Sequence, residues 1–203
     1  MKKIAFVIAM AAISTALYSQ VFVGGSLGFS TSGSSTTSGS TTTDGPTLTT
    51  FSLEPMVGYY LNSQMAIGVE LGISFNSTNN NATPTATKTT TTVFGISPFV
   101  RYHLVEMGPI SVFGQGSVGI GFSKEKIKTG NTSTDGDKTT SFEIAVRPGV
   151  SYKLTDQIAI EAFLGGLSYD MTTTKKPNDD KDKEHTLGLN FSTSLNLGFV
   201  YKF

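Results

Sequence analysis

The sequence predicts an all-β fold: an eight-stranded antiparallel up-and-down β-barrel that crosses a membrane, preceded by a cleavable signal peptide. Three observations predict it. After residue 20 the apolar residues alternate with a period of two and show almost no helical spacing. Eight such segments have the length that a tilted membrane strand needs. Their connections alternate long and short, the asymmetry of a barrel with long loops on one side of the membrane and tight turns on the other.

The first 20 residues, MKKIAFVIAMAAISTALYSQ, stand apart. Lys2 and Lys3 precede an apolar run from Ile4 to Ile13, and small and polar residues follow. This is the pattern of a secretory signal peptide, with cleavage expected between Ala16 and Gln20. The chain therefore divides into a signal peptide (1–20) and one barrel domain (21–203). Removing Lys2 and Lys3 from 15 basic residues leaves 13 against 15 acidic ones, a net charge near −2. Such a balance gives no electrostatic reason to expect a nucleic-acid partner. There is no cysteine, so disulfides and thiolate metal sites are excluded.

The strands follow in order. Val21, Val23, Leu27 and Phe29 form one apolar face of the first. Phe51, Leu53, Val57, Tyr59 and Leu61 form the second. Met65, Ile67, Val69, Leu71, Ile73 and Phe75 form the third. Phe94, Ile96, Val100, Tyr102 and Leu104 form the fourth. Ile110, Val112, Val118, Ile120 and Phe122 form the fifth. Phe142, Ile144, Val146, Val150, Tyr152 and Leu154 form the sixth. Ile158, Ile160, Ala162 and Leu164 form the seventh, whose upper half reads irregularly. Leu187, Leu189, Phe191, Leu195, Leu197, Phe199, Tyr201 and Phe203 form the last. Residues 62–64, 105–109 and 155–157 read as short turns. Residues 31–50, 76–88, 123–140 and 170–186 read as long polar loops, and Ser or Thr fills 14 of the 20 positions in 31–50. Segments of that composition build no core of their own and are expected to be mobile.

An internal repeat supports the count. PMVGYYL (55–61), PFVRYHL (98–104) and PGVSYKL (148–154) share Pro-x-Val-x-Tyr-x-Leu, and LGFVYKF (197–203) ends in the same phase. QMAIGVE (64–70) echoes QIAIEAF (157–163). Tyr59, Tyr102, Tyr152 and Tyr201 would form one aromatic girdle at the headgroup level. Pro55, Pro98 and Pro148 oppose the reading, since proline removes a ladder donor. Their common phase predicts a shared bulge or kink.

The apolar faces should meet lipid, because the opposite faces carry Gly, Ser and ionisable groups and an eight-stranded interior only has room for side chains. Glu54, Glu70, Arg101, Glu143, Arg147 and Glu161 are the expected interior charge network. Lys153 and Lys202 should lie nearer the short-turn mouth. Buried charges must pair to be tolerated, so a filled interior is the first reading and a polar path for ions the second.

VFGQGSVGIGF (112–122) contains Gly114-x-Gly116-x-x-Gly119, the spacing of a dinucleotide-binding turn, with Asp135 placed 21 residues after Gly114. The motif lies inside a strand, and no helix follows to hold a pyrophosphate. The glycines instead read as thinning the wall and making room for long interior side chains such as Arg101. No cofactor or bound metal is expected. PNDDKDKEH (177–185) offers Asp179, Asp180, Asp182 and Glu184 without the spacing of a calcium loop and reads as a solvated loop. His103 is placed near a short turn, and His185 is placed to meet Ser168 or Asp170 in a rim hydrolase or acyltransferase site. No nucleophile motif supports that site, and the chain is read as a non-enzyme.

The signal peptide, the eight amphipathic strands, the repeat and the terminal LGFVYKF together resemble the small outer-membrane β-barrel families, over residues 21 to 203. These include the outer membrane protein A-type transmembrane domain and the porin-like "outer membrane protein beta-barrel domain" proteins. The resemblance implies residence in the outer membrane of a Gram-negative cell envelope. It implies that Phe203, with Tyr201 and Phe199, is the signal presented to the barrel assembly machinery. No peptidoglycan-binding domain follows the barrel, so the anchoring role of longer members does not carry over. The expected role is structural or interactive: a monomer embedded in outer-membrane lipid, displaying its loops to an unknown extracellular partner. A narrow porin-like channel is the alternative.

Overall fold

The computed structural model describes residues 20–80, 86–190 and 196–203, so nearly all of the expected signal peptide lies outside the described residues. Among the described residues there are ten strand segments: β1 (Val21–Ser38), β2 (Thr41–Tyr60), β3 (Met65–Asn80), β4 (Thr87–Met107), β5 (Ile110–Thr129), β6 (Thr132–Lys153), β7 (Ile158–Phe163), β8 (Gly166–Lys175), β9 (Lys181–Asn190) and β10 (Asn196–Lys202). All pairings among the described residues are antiparallel. The order β1-β2-β3-β4-β5-β6-β7-β10 returns to β1 and closes a ring of eight. β8 and β9 continue the seventh and eighth strands outward, β8 on β6 and β9 on β8.

The burial pattern is inverted relative to a water-soluble barrel. Val118, Ile120, Ile144, Val146 and Phe199 are exposed, whereas Arg101, Gln115 and Glu161 are buried. Apolar side chains that point outward from a closed sheet need a solvent as apolar as themselves, and the hydrocarbon core of a bilayer is one. Along β6, Tyr152 to Phe142 covers ten residues, a height of about 25 Å at a tilt of about 40°, which matches the apolar band of a membrane barrel.

Among the described residues, most of the long polar segments expected to be loops are instead β-structure. β1 and β2 stay paired out to Ser38 and Thr41, and β5 and β6 to Thr129 and Thr132. Threonine is β-branched and suits a strand. Threonine hydroxyls also meet across strands, Thr31 with Thr49 at 3.4 Å and Thr139 with Thr174 at 3.2 Å. The tips turn at Gly39 and Gly130, with φ of 62° and 58°. Composition hid this because a low-complexity segment lacks a core of its own, but here it extends strands that are already anchored.

The tight turns repeat as the sequence does. Asn62 Oδ1 accepts from the amides of Gln64 and Met65, and Thr155 Oγ1 accepts from those of Gln157 and Ile158. The prolines do not share one bulge. Beside Pro55 the β2–β3 ladder skips from Leu53 to Met56, and beside Pro98 the β4–β5 ladder skips from Ile96 to Phe99, with no change of register. Around Pro148 the partner changes: Val146 pairs with Leu167 and Gly149 with Phe163, so one extra residue enters the seventh strand. The missing donors are absorbed by local gaps in pairing, not by a common kink.

Candidate functional site

The interior contains a layer that the alternation argument missed. Phe22, Met56, Phe99, Phe113 and Val200 point inward and are buried at the short-turn half of the barrel. The signal for them is a cross-strand complement. Phe22 pairs with Gly58, Phe99 with Gly68 and Phe113 with Gly149. Each ring lies over its glycine, where a Cβ would overlap the ring's Cζ. Gly149→Leu is therefore expected to displace Phe113 and destabilise the barrel by about 1–3 kcal/mol. Denaturant unfolding in vesicles checks this, and Phe113→Ala in the same chain should restore part of the loss.

Arg101 sits inside this layer with no exposed surface. Its Nη1 donates to Glu161 Oε1 at 2.7 Å, and its Nε and Nη2 donate to Gln115 Oε1 at 3.1 and 2.8 Å. Its guanidinium carbon lies 5.7, 5.6 and 4.2 Å from the ring centres of Phe22, Phe99 and Phe113. A planar cation can be held by charge at its edge and by π faces around it. Glu161 Oε2 has no hydrogen-bond partner among the described residues.

Above this layer, on the long-strand side, lies a cavity of about 430 Å³ lined by Glu54, Glu70, Ser97, Glu143, Arg147 and Glu161 among others. Arg147 Nη2 donates to both oxygens of Glu143 at 2.8 and 3.0 Å, and Ser26 Oγ donates to Glu54 Oε2 at 2.7 Å. The six charges expected inside are thus brought to one chamber and its floor, but as two ion pairs with further carboxylates, not as one continuous network. Below the floor, a second cavity of about 60 Å³ is lined by His103, Glu106, Lys153 and Lys202. His103 shares a hydrogen bond with Ser111 Oγ at 2.8 Å, and Lys202 Nζ lies 4.6 Å from the Tyr60 ring centre.

The glycines of the opening motif do not all serve the interior. Gly119 faces Ser97 inside, but a Cβ on Gly114 or Gly116 would meet nothing within 4 Å. They alternate with the buried Phe113, Gln115 and Ser117 and so lie on the lipid side, where they make no room for Arg101. Tyr102 and Tyr152 are exposed, and Tyr59 and Tyr201 are partly so. Tyr59 pairs with Ile67 and Tyr102 with Met65, both near a tight turn. Phe199 and Phe203 are exposed, and the Tyr201 and Phe203 rings meet edge to face at 5.0 Å.

The rim constellation does not assemble. Ser168 Oγ donates to Asp170 Oδ2 at 2.8 Å, whereas His185 stacks with Tyr169 and shares a 3.2 Å hydrogen bond with its hydroxyl. Positions 168 and 170 alternate with 169, so serine and histidine lie on opposite faces of the sheet. In the 177–185 segment, Lys175 pairs with Asp179 and Lys176 with Asp182, and Asn178 donates to Asp180. Outside the membrane span, hydrogen bonds from Lys124 to Asp135 and from Lys175 to Asp179, reinforced by the lysine charges, hold both carboxyls below their ordinary range. Among the described residues no cluster of His, Asp and Glu is arranged to hold a metal ion.

A family model described as outer membrane protein beta-barrel domain matches residues 4–203. No curated protein sequence matches the chain. Among solved structures, the translocator domain of the autotransporter NalP from Neisseria meningitidis is similar at 12% identity and a TM-score of 0.51. That match covers 92% of this chain and 64% of that one. Neisserial surface protein A matches at 16% identity and a TM-score of 0.44, over 90% and 97% of the two chains. Ail, the attachment invasion locus protein of Yersinia pestis, matches at 16% and 0.42, over 92% and 100%.

Proposed function

Since the chain belongs to the outer membrane protein β-barrel domain family and resides in the outer membrane, we propose that it is a closed, non-conducting scaffold that displays a stiff extracellular β-wall for surface interaction. The observation that carries this reading is the floor of the interior chamber. Arg101, Phe22, Phe113, Gln115 and Val200 are fully buried side chains at one level of the barrel. An ion passing them would have to separate Arg101 from Glu161 and move three rings. The outer parts of β1 to β6 rise well beyond the apolar band, so what the cell presents is a twisted sheet with threonine-rich faces. The non-enzymatic reading rests on the separation of His185 from Ser168 and Asp170.

Single-channel recording of the refolded chain in a planar bilayer tests the scaffold reading. The expected result is a silent barrel, and conductance that appears when Arg101 and Phe113 are both replaced by alanine. Steady openings of the unmodified chain that change on Arg147→Ala would establish the channel reading instead. The tyrosines at 59, 102, 152 and 201 are proposed as the periplasmic girdle. Phe199, Tyr201 and Phe203 are proposed as the handle read by the assembly machinery, supported by the outward exposure of both phenylalanines.

A further inference from the structure

The outer face of the barrel changes chemistry within one side-chain step. Phe94 and Phe122 pair across β4 and β5 and are both about half exposed. The next residues on that face of β5 are Lys124, Lys126 and Lys128, each exposed or partly exposed. Lys124 pairs with Lys138 on β6, Lys138 with Lys175 on β8, and Lys175 with Lys181 on β9. Directly opposed residues of antiparallel strands share a face. Four neighbouring strands thus carry an outward row of four lysines, and Lys88 opposes Lys128 in a second tier. Like charges placed directly opposite destabilise a sheet, so this arrangement calls for an external anion.

The protein's own carboxylates meet the row only in part. Lys124 Nζ pairs with Asp135 at 3.0 Å, and Lys175 pairs with Asp179. Among the described residues, neither Lys138 nor Lys181 forms an ion pair. A shallow groove of about 320 Å³ lies where the two chemistries meet, with Phe94 and Phe122 facing Thr90, Thr92, Lys124 and Lys126. One outward step along a strand raises a side chain by about 5 Å at a tilt of about 40°. Lys124 therefore stands just above the apolar band, within a headgroup layer about 5–8 Å deep.

We propose that the lysine row and the Phe94–Phe122 groove form a docking site for a phosphorylated lipid of the outer leaflet. Its phosphate bridges Lys124, Lys126 and Lys138, and an acyl chain lies along the two rings. Charge complementarity selects the phosphate, and continuity of the groove with the lipid-facing belt selects a lipid over a soluble anion. The site is on the outer wall and does not depend on whether the interior conducts.

The test is native mass spectrometry of the full refolded chain, taken from phosphatidylcholine micelles containing a minor share of phosphatidylglycerol as probe. The expected result is retention of phosphatidylglycerol over phosphatidylcholine by on the order of tenfold or more, lost when Lys124, Lys126 and Lys138 become serine. The three arginine substitutions should keep the preference, and Lys153→Ser, near the opposite mouth, should leave it unchanged. If the triple serine variant does not fold, as judged by circular dichroism, the single Lys138→Ser variant must lower the preference. Unchanged retention in the folded serine variants would overturn the proposal. Full displacement of the lipid by inorganic phosphate would also overturn it, because it would reduce the site to a simple anion site.

Discussion

Replacing Glu161 by glutamine is expected to destabilise the folded barrel by about 3–5 kcal/mol, the usual cost of leaving one member of a buried ion pair behind. Arg101 has no exposed surface and would keep its charge beside three aromatic rings and the Gln115 amide oxygen. Cation–π attraction of up to about 2 kcal/mol offsets part of this, which favours the lower end. The measurement is urea unfolding in vesicles followed by circular dichroism, a suitable probe because the chain has no tryptophan. Arg101→Met combined with Glu161→Leu should recover most of the loss, since apolar replacement of a whole buried pair is often neutral. A loss below about 1 kcal/mol for the glutamine variant would mean that water reaches Arg101, and that the chamber floor is not dry.

Val146→Arg should weaken membrane folding by about 2–4 kcal/mol, the penalty for arginine near mid-bilayer on a lipid-facing strand. Val146 is 56% exposed and lies between Tyr152 and Phe142 on β6, opposite Gly116. The control is Thr140→Arg on the same face, paired with Phe122 near the outer boundary, where the cost should be about 0–1 kcal/mol. Equal effects at the two positions would show that the apolar band is not centred where the exposure pattern places it.

The ring of eight and its faces were legible because period-two alternation is a local signal. The aromatic floor was not. Phe22, Phe99 and Phe113 look like more of the same apolar composition until each is set against its glycine on the next strand, and that needs register, which a single sequence does not supply. Long-range pairing also escaped it: Glu161 and Gln115 reach Arg101 from different strands, 60 and 14 residues away in the chain. The polar segments were misread for a related reason. Composition judges whether a segment can fold alone, whereas residues such as Thr41–Thr50 inherit their pairing from strands already fixed in the barrel.

The meander also bears on the order in which the molecule can be made. Most ladders join strands adjacent in the chain, so they can zip with little loop closure. The ladder between β1 and β10 is different: its five described pairs, Phe22 with Lys202 through Ser26 with Gly198, bring together the two ends of the domain. Nearly the whole entropy of making a cylinder from a ribbon therefore falls on that short seam. Every earlier intermediate carries two open hydrogen-bonding edges, and in hydrocarbon such edges are intolerable. Insertion and closure are therefore expected to be one event, completed when the β1–β10 seam forms.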